Sequence, residues 1–185
     1  MLGGLALASG PTIAGSEIQR VGVDFERIFK ESNASTLVFL FVAVECPISN
    51  RYAPVVNALY EQFSSDDLEL WTVYTDNLFS EESIGQHRSD YEYRAPSLID
   101  FDQALARYCQ ATVTPEAAVF VREEAGEMRL VYRGRIDDRY VDFGKWRRQP
   151  SREDLKEVLA AISSGNTRSL EARTTRAVGC YISPN

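Results

Sequence analysis

An unbroken apolar run, Leu37-Val38-Phe39-Leu40-Phe41-Val42-Ala43-Val44, stops abruptly at Glu45-Cys46-Pro47. With no polar alternation the run cannot lie half in water, so it reads as a strand covered on both faces in the middle of a sheet. Directly after it, Val55, Val56, Leu59, Tyr60 and Phe63 recur at three- and four-residue spacing and predict an amphipathic helix over 49–63. Pro54 falls inside that helix and is expected to kink it, because proline lacks a backbone donor and clashes one turn back. Cys46 thus sits at a strand exit and a helix start. A sulfur in such a place faces unpaired N–H groups and the positive end of the helix dipole, which favour the anionic, nucleophilic form. Pro47 is tolerated in a first turn, where its missing N–H costs nothing. Glu45 works against a second negative charge nearby, or serves as a proton acceptor. The competing reading makes Cys46 an inert core residue, since free cysteine is commonly buried.

The remaining pattern alternates strand and helix. Residues 21–30 carry Phe25, Ile28 and Phe29 on one side of a short helix, and 68–74 (LELWTVY) is a second strand. A helix is expected over 81–91, a short strand over 97–99, and a helix over 102–108 with Asp102 near its start. Residues 117–122 and 128–133 form a hairpin around Glu124-Ala125-Gly126. A last helix runs over 151–162 with Ser151 as its N-cap. These elements predict an α/β layered domain with a mixed sheet. Its limits are placed at 18 and 164, between a lead-in over 1–17 and a tail over 165–185 that carries Cys180 in an apolar patch, Ala177 to Ile182.

A chain of 185 residues suits one domain, and its 44% hydrophobic and 25% charged residues are ordinary for a globular protein. The formal charge of −7 argues against nucleic-acid binding, which needs a basic face. Lys145-Trp146-Arg147-Arg148 is the one basic candidate and reads as a solvated loop. No apolar run reaches the roughly 18 to 20 residues that span a bilayer. Residues 1–17 read as a flexible lead-in or the remnant of an export signal. Ala6-Leu7-Ala8 before Ser9 has a small-residue pattern, although a basic start is missing, which leans toward a periplasmic or secreted location rather than a cytoplasmic one. Three cysteines and one histidine make neither a disulfide scaffold nor a zinc site, so no metal is expected. No organic cofactor is implied.

A buried strand, then Cys46-Pro47-Ile48-Ser49 opening a helix, then Pro54 within it, resembles the active-site region of the thioredoxin-like superfamily. Thr112-Val113-Thr114-Pro115-Glu116 before the strand at 117–121 is similar to that fold's cis-proline loop. The stretches CPISNRY, TVTPE, YRGRIDDRY and AVGCYI place the resemblance, over residues 18–164, in the redoxin and peroxiredoxin-like branch. It implies a thioredoxin-like three-layer α/β/α sandwich with a central mixed sheet and a redoxin-type insertion. It also implies that Thr114 and Pro115 lie beside the reactive sulfur and pair with the backbone of a bound substrate. Two departures stand out. Ala43 and Phe39 replace the threonine and proline that peroxiredoxins carry before their cysteine, and Ser49 replaces the second cysteine of a Cys-x-x-Cys pair.

The expected activity is thiol–disulfide exchange with Cys46 as nucleophile, acting on protein or small-molecule disulfides and thiols. A weak thiol peroxidase and a degenerate binding module without turnover are the alternatives. Cys180 is a candidate resolving thiol. Its other readings are a structural disulfide with Cys109 or a tail thiol without consequence. Cys109 is expected to face the core, His87 to lie on the surface, and Asp137-Asp138 to build a turn with ion pairs. The oligomeric state is left open.

Overall fold

The computed structural model describes residues 18–167 and 171–184. The lead-in or export-signal reading of residues 1–17 lies outside the described residues. The apolar run becomes β2 (Thr36–Val42), buried along its whole length. Period-two alternation sends Leu37, Phe39 and Phe41 to one face of the sheet and Val38, Leu40 and Val42 to the other, and a separate hydrophobic core forms on each side. β2 is central. It pairs in parallel with β3 (Leu68–Tyr74), beyond which lie β4 (Ser97–Ile99) and β1 (Ile18–Arg20). On its other side it pairs antiparallel with β6 (Glu116–Arg122), followed by β7 (Met128–Gly134) and, in parallel, β10 (Arg173–Thr174). The result is a seven-stranded mixed sheet in the order β1-β4-β3-β2-β6-β7-β10.

Helices cover both faces. Val38, Leu40 and Val42 pack with α2 (Pro47–Arg51), α3 (Ala53–Phe63), α4 (Glu81–Asp90) and α6 (Asp154–Ser163), contributing Ile48, Val56, Leu59, Ile84 and Leu155. Leu37, Phe39 and Phe41 pack with α1 (Glu26–Glu31) and α5 (Ala104–Cys109), through Phe29, Leu105 and Cys109. Two small pairs complete the described strands: β5 (Val113–Thr114) with β11 (Cys180–Tyr181), and β8 (Tyr140–Asp142) with β9 (Lys145–Trp146).

Three expectations change. The helix expected over 49–63 is two helices meeting at Tyr52, since Pro54 has no N–H to donate back and the ladder restarts there. The last helix starts at Asp154 rather than at Ser151. Ser151 turns instead to Asp138, whose carboxylate accepts its hydroxyl at 2.5 Å and its amide at 2.7 Å. At the start of α5 it is Asp100, not Asp102, that accepts the free amides of Leu105 (3.3 Å) and Ala106 (2.8 Å).

Candidate active site

β2 ends at Val42, and Ala43 and Val44 carry the chain off the sheet into Cys46. Cys46 is the N-cap of α2, with Pro47 in the first turn. Its sulfur accepts the Ser49 amide at 3.3 Å, while its S–H donates to the Thr114 carbonyl at 3.0 Å. Ser49 does not point a hydroxyl at the sulfur; its Oγ accepts the Ala43 amide at 3.3 Å and closes the turn. The serine at the second-cysteine position therefore braces the loop that presents Cys46.

Opposite the sulfur lies the loop 112–116. The Glu116 carboxylate, buried, accepts the Thr112 amide at 2.7 Å, the Thr112 hydroxyl at 3.3 Å and the Val113 amide at 3.3 Å, which holds the loop in shape. The Thr114–Pro115 peptide bond is cis. Pro115 lines a shallow recess with Tyr52, Ile136, Asp137, Tyr140 and Val178. The Tyr52 hydroxyl donates to Asp137 on the wall of that recess. Both aspartates of the expected turn are buried, Asp137 pairing with Arg139 and Asp138 with Arg147.

The C-terminal segment returns to this loop. Cys180 pairs with Thr114 and Tyr181 with Val113 in an antiparallel register, and the Ile182 amide donates to the Thr112 carbonyl at 2.9 Å. Gly179 makes the approach possible, because a Cβ there would stand 2.1 Å from the Thr114 oxygen. The Gln103 amide donates to the Ser183 carbonyl at 2.7 Å and pins the segment beyond the pair. Val178 and Cys180 pack on one core and Ile182 on the other. Cys46 is left 1% exposed.

All three cysteines are free thiols. Burial pushes the Cys180 thiol up to about 12, and the nearby Cys46 sulfur adds to the shift. Burial, with Asp100 and Glu116 nearby, pushes Cys109 far above the usual thiol range. Cys109 is fully buried on the opposite face of the sheet from Cys46, as its core-facing reading required.

His87 is not a surface residue but 4% exposed. The sequence around it is charged because α4 shows its other face to water. The ring bridges two elements: Nδ1 meets the Tyr74 hydroxyl at 3.0 Å and Nε2 meets Asn50 Oδ1 at 2.9 Å. The amide oxygen accepts only, so Nε2 carries the proton and Nδ1 accepts from Tyr74. Asn50 in turn donates its side-chain N–H to the Val44 carbonyl at 3.0 Å and its backbone N–H to the Cys46 carbonyl at 2.9 Å. The chain Tyr74–His87–Asn50 thereby holds both sides of Cys46. Tyr93, also buried, adjoins Ser49 and Cys46, and burial foremost pushes its hydroxyl upward. Asn50, His87, Tyr74 and Gly179 were not singled out as site residues. The two signals present were the asparagine closing CPISN and the glycine directly before Cys180.

No family model and no curated protein sequence matches the chain. Several solved structures share its fold. An uncharacterized conserved protein from Geobacillus kaustophilus superposes with a TM-score of 0.68 at 20% identity, over 84% of this chain and 82% of that one. A hypothetical protein from Sinorhizobium meliloti gives 0.60 at 23% identity over the same shares, 84% and 82%. An exposed lipoprotein thioredoxin from Streptococcus pneumoniae gives 0.50 at 14% identity, over 74% and 89%. The fold is thioredoxin-like.

Within the thioredoxin-like fold the expected site residues gather. Cys46, Pro47 and Ser49 stand at the head of α2, Thr114 and Pro115 stand across from them, and Cys180 lies in register with Thr114. The backbone edge at 113–114, where the resemblance implied a substrate, already holds the chain's own residues 180–181. Among the described residues no group of three or more His, Cys, Asp or Glu side chains gathers as a metal site, and no helix is long and apolar enough to cross a membrane.

Proposed function

We propose that the protein is a thiol–disulfide oxidoreductase whose working pair is Cys46 and Cys180. The observation that supports this reading is the Cys180–Thr114 register: Thr114, whose carbonyl accepts the Cys46 S–H, has Cys180 opposite it although 134 positions (180 − 46) separate the two cysteines in the chain. Cys46 takes the first step, because its sulfur caps the start of α2 and accepts the Ser49 amide, a hydrogen bond that strengthens on an anionic sulfur. Its thiolate attacks one sulfur of a substrate disulfide, forms a mixed disulfide and expels the other half as a thiolate. Cys180 loses its proton, attacks the Cys46 sulfur and expels the second half. The substrate gains two electrons, the protein holds a Cys46–Cys180 disulfide, and an external thiol returns it to the dithiol.

Peptide mapping by mass spectrometry after titration with a small-molecule disulfide tests the pair. The expected product is one reversible Cys46–Cys180 linkage, with Cys180→Ser accumulating the mixed disulfide on Cys46. A linkage through Cys109, or no disulfide at all, defeats the reading.

A further inference from the structure

The strand that carries Cys180 does a second thing: it occupies the backbone edge of the 112–114 loop, whose Thr114 carbonyl meets the Cys46 sulfur. Residues 179–182 lie along it antiparallel, with Cys180 opposite Thr114, Tyr181 opposite Val113 and Ile182 bonded to Thr112. The contact is selective. Gly179 has no room for a Cβ against the Thr114 oxygen, while the Tyr181 side chain points out and is 85% exposed. The segment holding this edge is short, since β11 has two residues and its far end is pinned by the Gln103–Ser183 bond.

We propose that residues 178–183 are a tethered competitor for a docking edge whose external occupant is an extended polypeptide with glycine directly before its cysteine. A main-chain ladder recognises an extended segment of almost any side chains. The internal strand shows which features this ladder selects: antiparallel direction, no side chain opposite the Thr114 oxygen, and a sulfur on the next residue. While the strap is seated, Cys46 is closed to such a partner. The state of the edge then follows the redox state, a step that rests on the thiol pair proposed above. Oxidation of the two thiols removes two electrons and two protons, taken up by a disulfide substrate that leaves as two thiols, and the resulting bond fastens the strap in place. Reduction frees it to exchange with an outside chain.

A fluorescent peptide copying residues 176–184, with serine at the position of Cys180, tests the edge without any thiol chemistry. Three full-length hosts are compared by anisotropy: the reduced protein, the protein oxidised at Cys46–Cys180, and reduced Gly179→Ala, whose strap cannot seat. The expected order is binding at least tenfold tighter to Gly179→Ala than to the reduced protein, and none to the oxidised one. A peptide with alanine in place of that glycine is expected not to bind. Gln103→Ala, which loosens the far end of the strap and leaves the edge intact, is the second host should Gly179→Ala fail to fold. Equal binding to reduced and oxidised protein, or none to both variants, overturns the proposal. So does a dimer of either variant that the peptide cannot dissociate, which makes a second copy the occupant. Because the probe has no cysteine, its failure leaves the disulfide mapping to decide the oxidoreductase reading separately.

Discussion

At the scale of single residues, His87 uses both ring nitrogens to join Tyr74 to the Asn50 that flanks the sulfur. Replacing it by leucine strips Asn50 of a donor and Tyr74 of an acceptor in a buried place, which costs about 2–4 kcal/mol by the usual penalty for orphaned polar groups. His87→Gln offers an N–H and a carbonyl in place of the two ring nitrogens, so it is expected to recover more than half of that loss in urea unfolding. Desolvation holds the His87 imidazole below its ordinary value, with Asp90 a smaller opposing influence. The unfolded chain therefore binds a proton more readily than the folded one. Stability is expected to fall as pH drops from about 6.5 toward the lower folded value, and His87→Gln is expected to flatten that segment of the pH–stability curve. An unchanged slope in that variant would remove His87 as its source.

At the scale of elements, the hairpin β8–β9 and the start of α6 are joined through one carboxylate. Burial disfavours ionised Asp138, yet the Ser151 hydroxyl, the Arg152 and Ser151 amides and the Arg147 guanidinium hold it at about 2, below its ordinary value of 3.8. A depressed carboxylate stabilises the fold above its unfolded value and loses that contribution as pH falls from 3.8 to about 2. Asp138→Asn is expected to cost about 1–2 kcal/mol at neutral pH and to weaken the acid dependence in that window, measured by thermal unfolding at several pH values. β11 is the contrasting case. Its strand holds by a few backbone bonds and one glycine, so Gly179→Ala is expected to raise the rate of Cys46 alkylation tenfold or more while the two cores stay intact. Equal alkylation rates would show that the strap does not shield the sulfur.

At the scale of the whole molecule, a Cys46–Cys180 bond closes a loop of 134 positions and ties the C-terminal segment to the face of the sheet that carries α2. The chain-entropy model gives about 4–5 kcal/mol for a loop of this size, so the oxidised protein is expected to melt several degrees above the reduced one. A Cys180→Ser protein treated with the same oxidant serves as the control, and a matching rise there would place the effect elsewhere.

Much of the sheet was legible in the residues because its signals are local. Of the eight apolar residues in a row, Leu37 to Val42 are buried on both faces as the run requires, and the three- and four-residue spacing before Phe63 has one helical meaning. Pro54 announced a disturbance of the helix, although whether it bends or breaks depends on what Tyr52 and Asn50 bond to. Ser151 and Asp102 illustrate the opposite case. Each has the right chemistry for a cap and the right place in the chain, but Ser151 is drawn to the Asp138 carboxylate ahead of α6, and at α5 the carboxylate two residues before Asp102 takes the free amides.

The pattern of residues alone specified the two-faced central strand, the thiol at its exit and the order of the longer strands and helices, since each follows from periodicity and backbone chemistry within a few residues. The short strands at 18–20, 140–146, 173–174 and 180–181 carry no such pattern. Folding in three dimensions specified the rest. That His87 is buried and steadies the Cys46 loop and that Gly179 lets Cys180 lie against Thr114 both depend on contacts between segments far apart in the chain. Such contacts carry no local periodicity, because they are selected by the shape that the packed sheet leaves over.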